Sequence, residues 1–245
     1  MVAADVRSDS PPRGDHSAIL AMEDACFVPR RPDEVATEGN QLCLKRGMLV
    51  VVRVDSAQCE TPLADAAAGL RSPASGAVRW HGSEWQTMDP WHAGLCRGRI
   101  GRVFSGCAWV SNLNVDENVL LGALHHVFQR RAALQREAND LALWFGLDGL
   151  PAKRPNMLSS QDLQLAQCVR AFSDSPDLLV LEHPARDLAD AEVDRLIGAV
   201  LQARARGAAV LWFTALESIV DHPRLLIDEC YEARGPALHR VSPVL

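Results

Sequence analysis

Apolar runs alternating with amphipathic stretches dominate the pattern of this chain. MLVVVRV (48–54), DLLVLE (177–182) and AAVLWFT (208–214) are nearly continuous hydrophobic segments rich in branched residues, the pattern of strands buried on both faces. AILAMEDACFVP (18–29), QLCLKRG (41–47) and GRIGRVF (98–104) read as further strands, with the second turning tightly into 48–54. Between them lies an alanine- and leucine-rich helix in which Pro62 is acceptable in the first turn. Another helix starts after Asn114, with Asp116 and Glu117 placed well against its dipole. An amphipathic helix over 129–146 closes at Gly146, one capped at Ser159 follows, and a last one covers 190–206. A loop and short strand fill 71–85, and a strand pair lies within 224–241. Strands alternating with helices predict an α/β fold with a mostly parallel sheet covered on both faces. The polar, proline-bearing residues 1–17 are expected to form a flexible tail, leaving 18–245 as a single domain.

Composition narrows the partners more than the fold. At 245 residues with 48% hydrophobic content, the chain can bury a substantial core. A formal charge of −6 argues against nucleic acid or an anionic membrane surface as the main partner. No apolar run reaches the length of a transmembrane helix, and the acidic N-terminus lacks a signal-peptide pattern. Seven cysteines, with no CxxC pair or zinc spacing, read as reduced core residues of a cytoplasmic protein.

The stretch with the most chemistry follows the run at 48–54. Strand, eight-residue turn and helix form the layout of a phosphate-binding P-loop, in which glycines let backbone amides cup phosphates, a lysine neutralises them, and a hydroxyl binds Mg²⁺. The eight positions here are Val54, Asp55, Ser56, Ala57, Gln58, Cys59, Glu60 and Thr61. Both glycines and the lysine are missing, and only the Thr61 hydroxyl survives. Taken alone, strand–turn–helix is also what any α/β protein contains.

Four further segments in order make the layout specific. GLRSPASGAVRWHG resembles the loop, strand and turn after the P-loop helix of the ATP-binding domain of ABC transporters. IGRVFSGCAWVSNLNVDENVLL is similar to that family's Q-loop region, and LSSQDLQLAQCVRAFSDSPDLLVLEHP to its signature helix running into the Walker B strand. AAVLWFTAL is similar to the strand ending at the switch histidine. The resemblance covers about residues 18 to 230. It implies a P-loop NTPase-like ABC ATPase fold: a mostly parallel core, an antiparallel β subdomain and a helical subdomain over about 112–165.

The same resemblance implies a damaged nucleotide site. Glu60 stands where the family has its lysine, and a like charge about 4 Å from a phosphate costs about 4 kcal/mol at an effective dielectric near 20. Val54 and Cys59 stand at glycine positions, where a Cβ obstructs close backbone approach. Ser105 replaces the Q-loop glutamine, Glu182 the Walker B aspartate, His183 the catalytic glutamate, Ala189 the D-loop aspartate and Ala215 the switch histidine. Vestigial nucleotide-site positions are Phe27, Ser56, Glu60, Thr61, Ser105 and Ser159. Phe27 matches an aromatic that stacks on adenine, with a plain core phenylalanine as the favoured alternative. Thr61 can bind a metal or cap its helix. Ser159 keeps the signature hydroxyl, with Ser160, Gln161 and Asp162 replacing two glycines and a glutamine; an ordinary N-cap is the alternative.

These departures imply no catalytic residues, no metal ligands, and no cofactor except ATP and Mg²⁺ held weakly or at a site shared with a partner. The implied function is a non-hydrolysing ABC transporter subunit, peripheral on the inner face of the cell membrane. It would pair with a second ATP-binding subunit and an integral membrane permease, with Trp109, Val110 and Leu113 either on the permease side or in the subdomain core. MEDACF and FSGCAWVSNLNV resemble ATPases of lipid-trafficking (MCE-type) systems, implying a lipid cargo. The alternatives are a protein-binding scaffold with this fold, and an unorthodox ATPase using Glu182 and His183.

Overall fold

The computed structural model describes residues 17–30, 34, 36–54, 62–106, 108–126, 131–234 and 236–241. The tail expectation therefore lies outside the described residues, as do Ser56, Glu60 and Thr61. Ten strands form two sheets. The larger runs β10–β9–β3–β8–β7–β6, built from β3 (Leu49–Arg53), β6 (Ile100–Val103), β7 (Leu178–Glu182), β8 (Ala209–Thr214), β9 (Glu229–Arg234) and β10 (Ala237–Val241). All its neighbours pair in parallel except the β9–β10 hairpin. The smaller sheet is antiparallel, in the order β2–β1–β4–β5: β1 (Ala18–Phe27), β2 (Thr37–Lys45), β4 (Ser75–Trp80) and β5 (Ser83–Glu84).

Strand alternation sorts the core into two layers. Val51, Leu179, Leu181, Val210 and Trp212 point to one face, against α3 (Val115–His126), α4 (Arg131–Phe145), α5 (Ser160–Phe172) and α6 (Asp190–Ala205). Val50, Val52, Val180, Leu211 and Phe213 point to the other, where α1 (Pro62–Ala67) and the antiparallel sheet lie. Helix α4 closes at Gly146, whose φ of 104° favours a residue without Cβ. Gly101 serves another purpose: a Cβ there would lie 1.8 Å from the Ala171 carbonyl oxygen, so glycine lets β6 press directly on α5.

Two elements depart from the sequence reading. β2 begins at Thr37, ahead of the expected 41, because it continues antiparallel pairing along β1. The region before 98 holds an unforeseen helix, α2 (Pro90–Arg97), with Asp89 accepting the His92 amide hydrogen bond at 3.0 Å and Pro90 opening the first turn. Short α7 (Glu217–Val220) follows β8. Cys26, Cys43, Cys96, Cys168 and Cys230 form no disulfide, and burial pushes the Cys168 thiol up to about 12. Among the described residues no helix is long and apolar enough to cross a membrane.

Candidate functional site

The expected site gathers at the carboxyl ends of the parallel strands, where α/β sheets hold their ligands. The Val54 amide donates to the Thr214 carbonyl at 3.0 Å, joining the end of β3 to the end of β8. Arg53, Val54, Thr214, Ala215 and Glu217 line a cavity of about 450 Å³ there. The Thr214 hydroxyl accepts the Leu216 amide at 3.0 Å, and Ala215 faces solvent with no group to offer. At the neighbouring tip the His183 amide donates to the Phe213 carbonyl at 2.9 Å, in a left-handed conformation (φ 47°). His183 is only 8% exposed, and burial, reinforced by the Arg186 charge, lowers its proton affinity below the usual 6.5.

Glu182 occupies the last position of β7 and is buried. Its Oε1 accepts a hydrogen bond of 2.8 Å from Arg102 Nε on the adjacent strand β6. Arg102 Nη1 lies 2.7 Å from Asp65 Oδ1 on α1, so one guanidinium ties two carboxylates together. The same guanidinium sits 4.4 Å from the centre of the Phe104 ring. Arg170 of α5 lies 5.3 Å from that ring and 4.8 Å from the Trp109 ring, and its Nη1 donates to the Ala108 carbonyl at 2.8 Å. Desolvation lowers the Arg170 guanidinium to about 10. Neither Arg102 nor Asp65 stood among the sequence candidates. The signal was present: an arginine inside the apolar run IGRVF must find a partner if its strand is buried.

The remaining candidates fall in separate places. Ser105 accepts a 3.2 Å bond at its carbonyl from Arg186, three residues beyond His183. Ser159 caps α5, its Oγ accepting the Asp162 amide at 3.0 Å. Gln161 donates to both carboxylate oxygens of Glu192 on α6, at 2.6 and 2.8 Å. The Ala189 amide donates to Glu192 as well, at 2.9 Å. Phe27 is 2% exposed inside the layer under the antiparallel sheet, with the buried Arg71 guanidinium 6.0 Å from its ring. This burial fits the core role that the sequence offered beside the stacking one. Arg71 itself is held by Glu34 at 2.8 Å and by the Val28 carbonyl. In the loop before α3, buried Asn118 pins both sides of Val110, accepting its amide at 2.8 Å and donating to its carbonyl at 3.1 Å. Trp109 packs partly against the helical core, whereas Val110 is 43% exposed.

This is the ABC ATPase fold: a dimeric bacterial ABC transporter cassette superposes with a TM-score of 0.80 at 16% identity, covering 90% of this chain and 97% of that one. An ATP-binding subunit of an ABC transporter matches at 0.76 and 18% identity over 91% of this chain and 90% of that one. The curated homologues are likewise ATP-binding proteins of import systems. A phosphonates import ATP-binding protein from Ruegeria sp. (strain TM1040) is 31% identical over 126 residues, 49% of each chain. A putative ribose/galactose/methyl galactoside import ATP-binding protein from Rhizobium meliloti (strain 1021) is 26% identical over 183 residues, 73% of this chain and 35% of that protein. The chain thus spans a third to a half of the length of these relatives. No family model matches it.

ATP and Mg²⁺ are implied by this fold, and the described side chains do not fit them. Glu182, which the sequence resemblance sets at the Walker B carboxylate, already accepts from a guanidinium, and His183 is buried with its proton affinity depressed. Ala215 supplies no polar atom. Among the described residues no group of three or more His, Cys, Asp or Glu side chains stands ready to hold a metal.

Proposed function

We propose that this chain is an ATP-binding-domain subunit of an ABC transporter whose own nucleotide site does not hydrolyse ATP. It pairs with a second, catalytically intact ATP-binding subunit and docks on an integral membrane permease, lying on the cytoplasmic face of the membrane. The observation that carries this reading is His183. Where the family places a carboxylate to polarise water, this chain has a buried imidazole beside Arg186, backed by an alanine at 215. A neutral, desolvated imidazole next to a fixed cation is poorly placed to take up a proton from water.

The retained frame supports the transporter half of the proposal. Exposed Val110, Leu121 and Leu124 give the α3 side an apolar surface next to the Trp109 loop. The relatives' names favour uptake, and a small polar solute over the lipid implied by the MCE-like stretches. Ser159 caps α5 by accepting the Asp162 amide, and its O–H can still donate to a phosphate held by a partner.

Affinity purification of the full-length protein from its native cell tests this. Recovery of a second ATP-binding subunit with intact motifs together with an integral membrane protein is the expected result. Recovery with soluble partners alone would replace the transporter reading by a scaffold.

A further inference from the structure

We propose that Arg102 is a built-in cation standing in for the divalent metal of this fold, holding Glu182 of β7 and Asp65 of α1 together without any ligand. The inference rests on the reading that this site has left metal-dependent nucleotide chemistry.

The geometry converges from three elements. Arg102 rises from β6, where it pairs in register with Val180, two residues before Glu182 on the same face of β7. From there its Nε reaches Glu182 at 2.8 Å and its Nη1 reaches Asp65 at 2.7 Å. Its side chain is only 10% exposed and that of Glu182 only 5%. Two carboxylates brought to one point repel each other unless a cation lies between them. A metal would do this in exchange for its water shell; the guanidinium does it with a charge of its own, Nε donating a hydrogen bond to Glu182 and Nη1 lying in ion-pair contact with Asp65 without hydrogen-bond geometry.

The cation is also fixed from behind. Phe104 lies between Arg102 and Arg170, with ring-to-guanidinium distances of 4.4 and 5.3 Å, and Arg170 then covers Trp109 at 4.8 Å. Cations over aromatic faces are stabilised most where water is excluded. Glu182, Arg102, Phe104, Arg170 and Trp109 thus form one continuous stack from the end of β7 to the loop before α3.

Thermal unfolding of the purified full-length chain, without nucleotide, tests the assignment, with Mn²⁺ binding followed by electron paramagnetic resonance. Wild-type protein should show no shift in Tm with millimolar Mg²⁺ and no uptake of Mn²⁺. Arg102→Ala leaves two carboxylates facing each other, so its Tm should fall by roughly 5 °C or more. Mg²⁺ should restore part of that loss, Na⁺ at equal ionic strength should not, and Mn²⁺ should now bind. Uptake of Mn²⁺ by wild type, or an Arg102→Ala chain indifferent to divalent cations, would overturn the proposal. If that variant does not fold, Arg102→Lys decides. It keeps the charge and should fold with an intermediate Tm and no divalent response, whereas a lysine variant that also fails to fold would contradict a role based on charge. Stabilisation of wild type by ATP·Mg²⁺ but not by Mg²⁺ alone would show that the chain binds the nucleotide, which counts against the reading that the site has left nucleotide chemistry and leaves the assignment of Arg102 standing.

Discussion

The interiors of β3, β7 and β8 and the carboxyl tips of the same strands carry different kinds of residue. Inside, Val51, Leu181 and Trp212 sit in register at 0% exposure, filling the helical face of the sheet. Two or three residues further on lie Val54, His183 and Ala215, which the sequence resemblance sets at nucleotide-site positions. Packing constrains the first set by volume and shape; of the second, Val54 and His183 are buried as well, and Ala215 is the exposed one. A chain can therefore keep the architecture of an ATPase through its core while its strand tips drift to alanine, histidine and glutamate.

The comparison breaks most visibly in the interior. Trp212→Ala removes the largest fully buried side chain and should cost about 3–5 kcal/mol, measured by chemical denaturation. Gly101→Ala forces a methyl group against the Ala171 carbonyl and should cost about 1–3 kcal/mol through displacement of β6 from α5.

The same division decides how much was legible in the sequence. The interior strands were readable because burial on both faces leaves a continuous apolar run that nothing else in a soluble chain imitates. Helix α2 was not read, although Asp89–Pro90 is a helix-start signal, because Trp91 and Leu95, four residues apart, are exposed and supply no core-facing stripe. At the site, the replaced positions were visible from the order of the segments. The Asp65–Arg102–Glu182 cluster was not, since it joins residues 37 and 80 apart whose meeting depends on the register of β6 against β7. For Phe27 the sequence left two readings open, because an aromatic at a strand end looks the same whether covered or open.

The tips answer smaller perturbations. His183 has a folded-state proton affinity below its usual value, so the unfolded chain takes up the proton first. Its contribution to stability is fully present above pH 6.5 and is lost as pH falls from there towards the depressed folded value. His183→Asn, which tolerates the left-handed backbone, should flatten that acid-side decline in a series of Tm against pH. The smallest effect belongs to Ala215→His: at an exposed position it should change stability by less than about 0.5 kcal/mol, and it should not create ATP hydrolysis, because His183 and Glu60 would remain.

The central claim is that the frame has outlived the nucleotide site, and calorimetric titration of the purified full-length chain with ATP·Mg²⁺ meets it most directly. The account predicts no binding in the micromolar range, because Glu60 opposes the phosphates by sequence and Arg102 already holds Glu182. Micromolar binding that disappears in Thr61→Ala would contradict it.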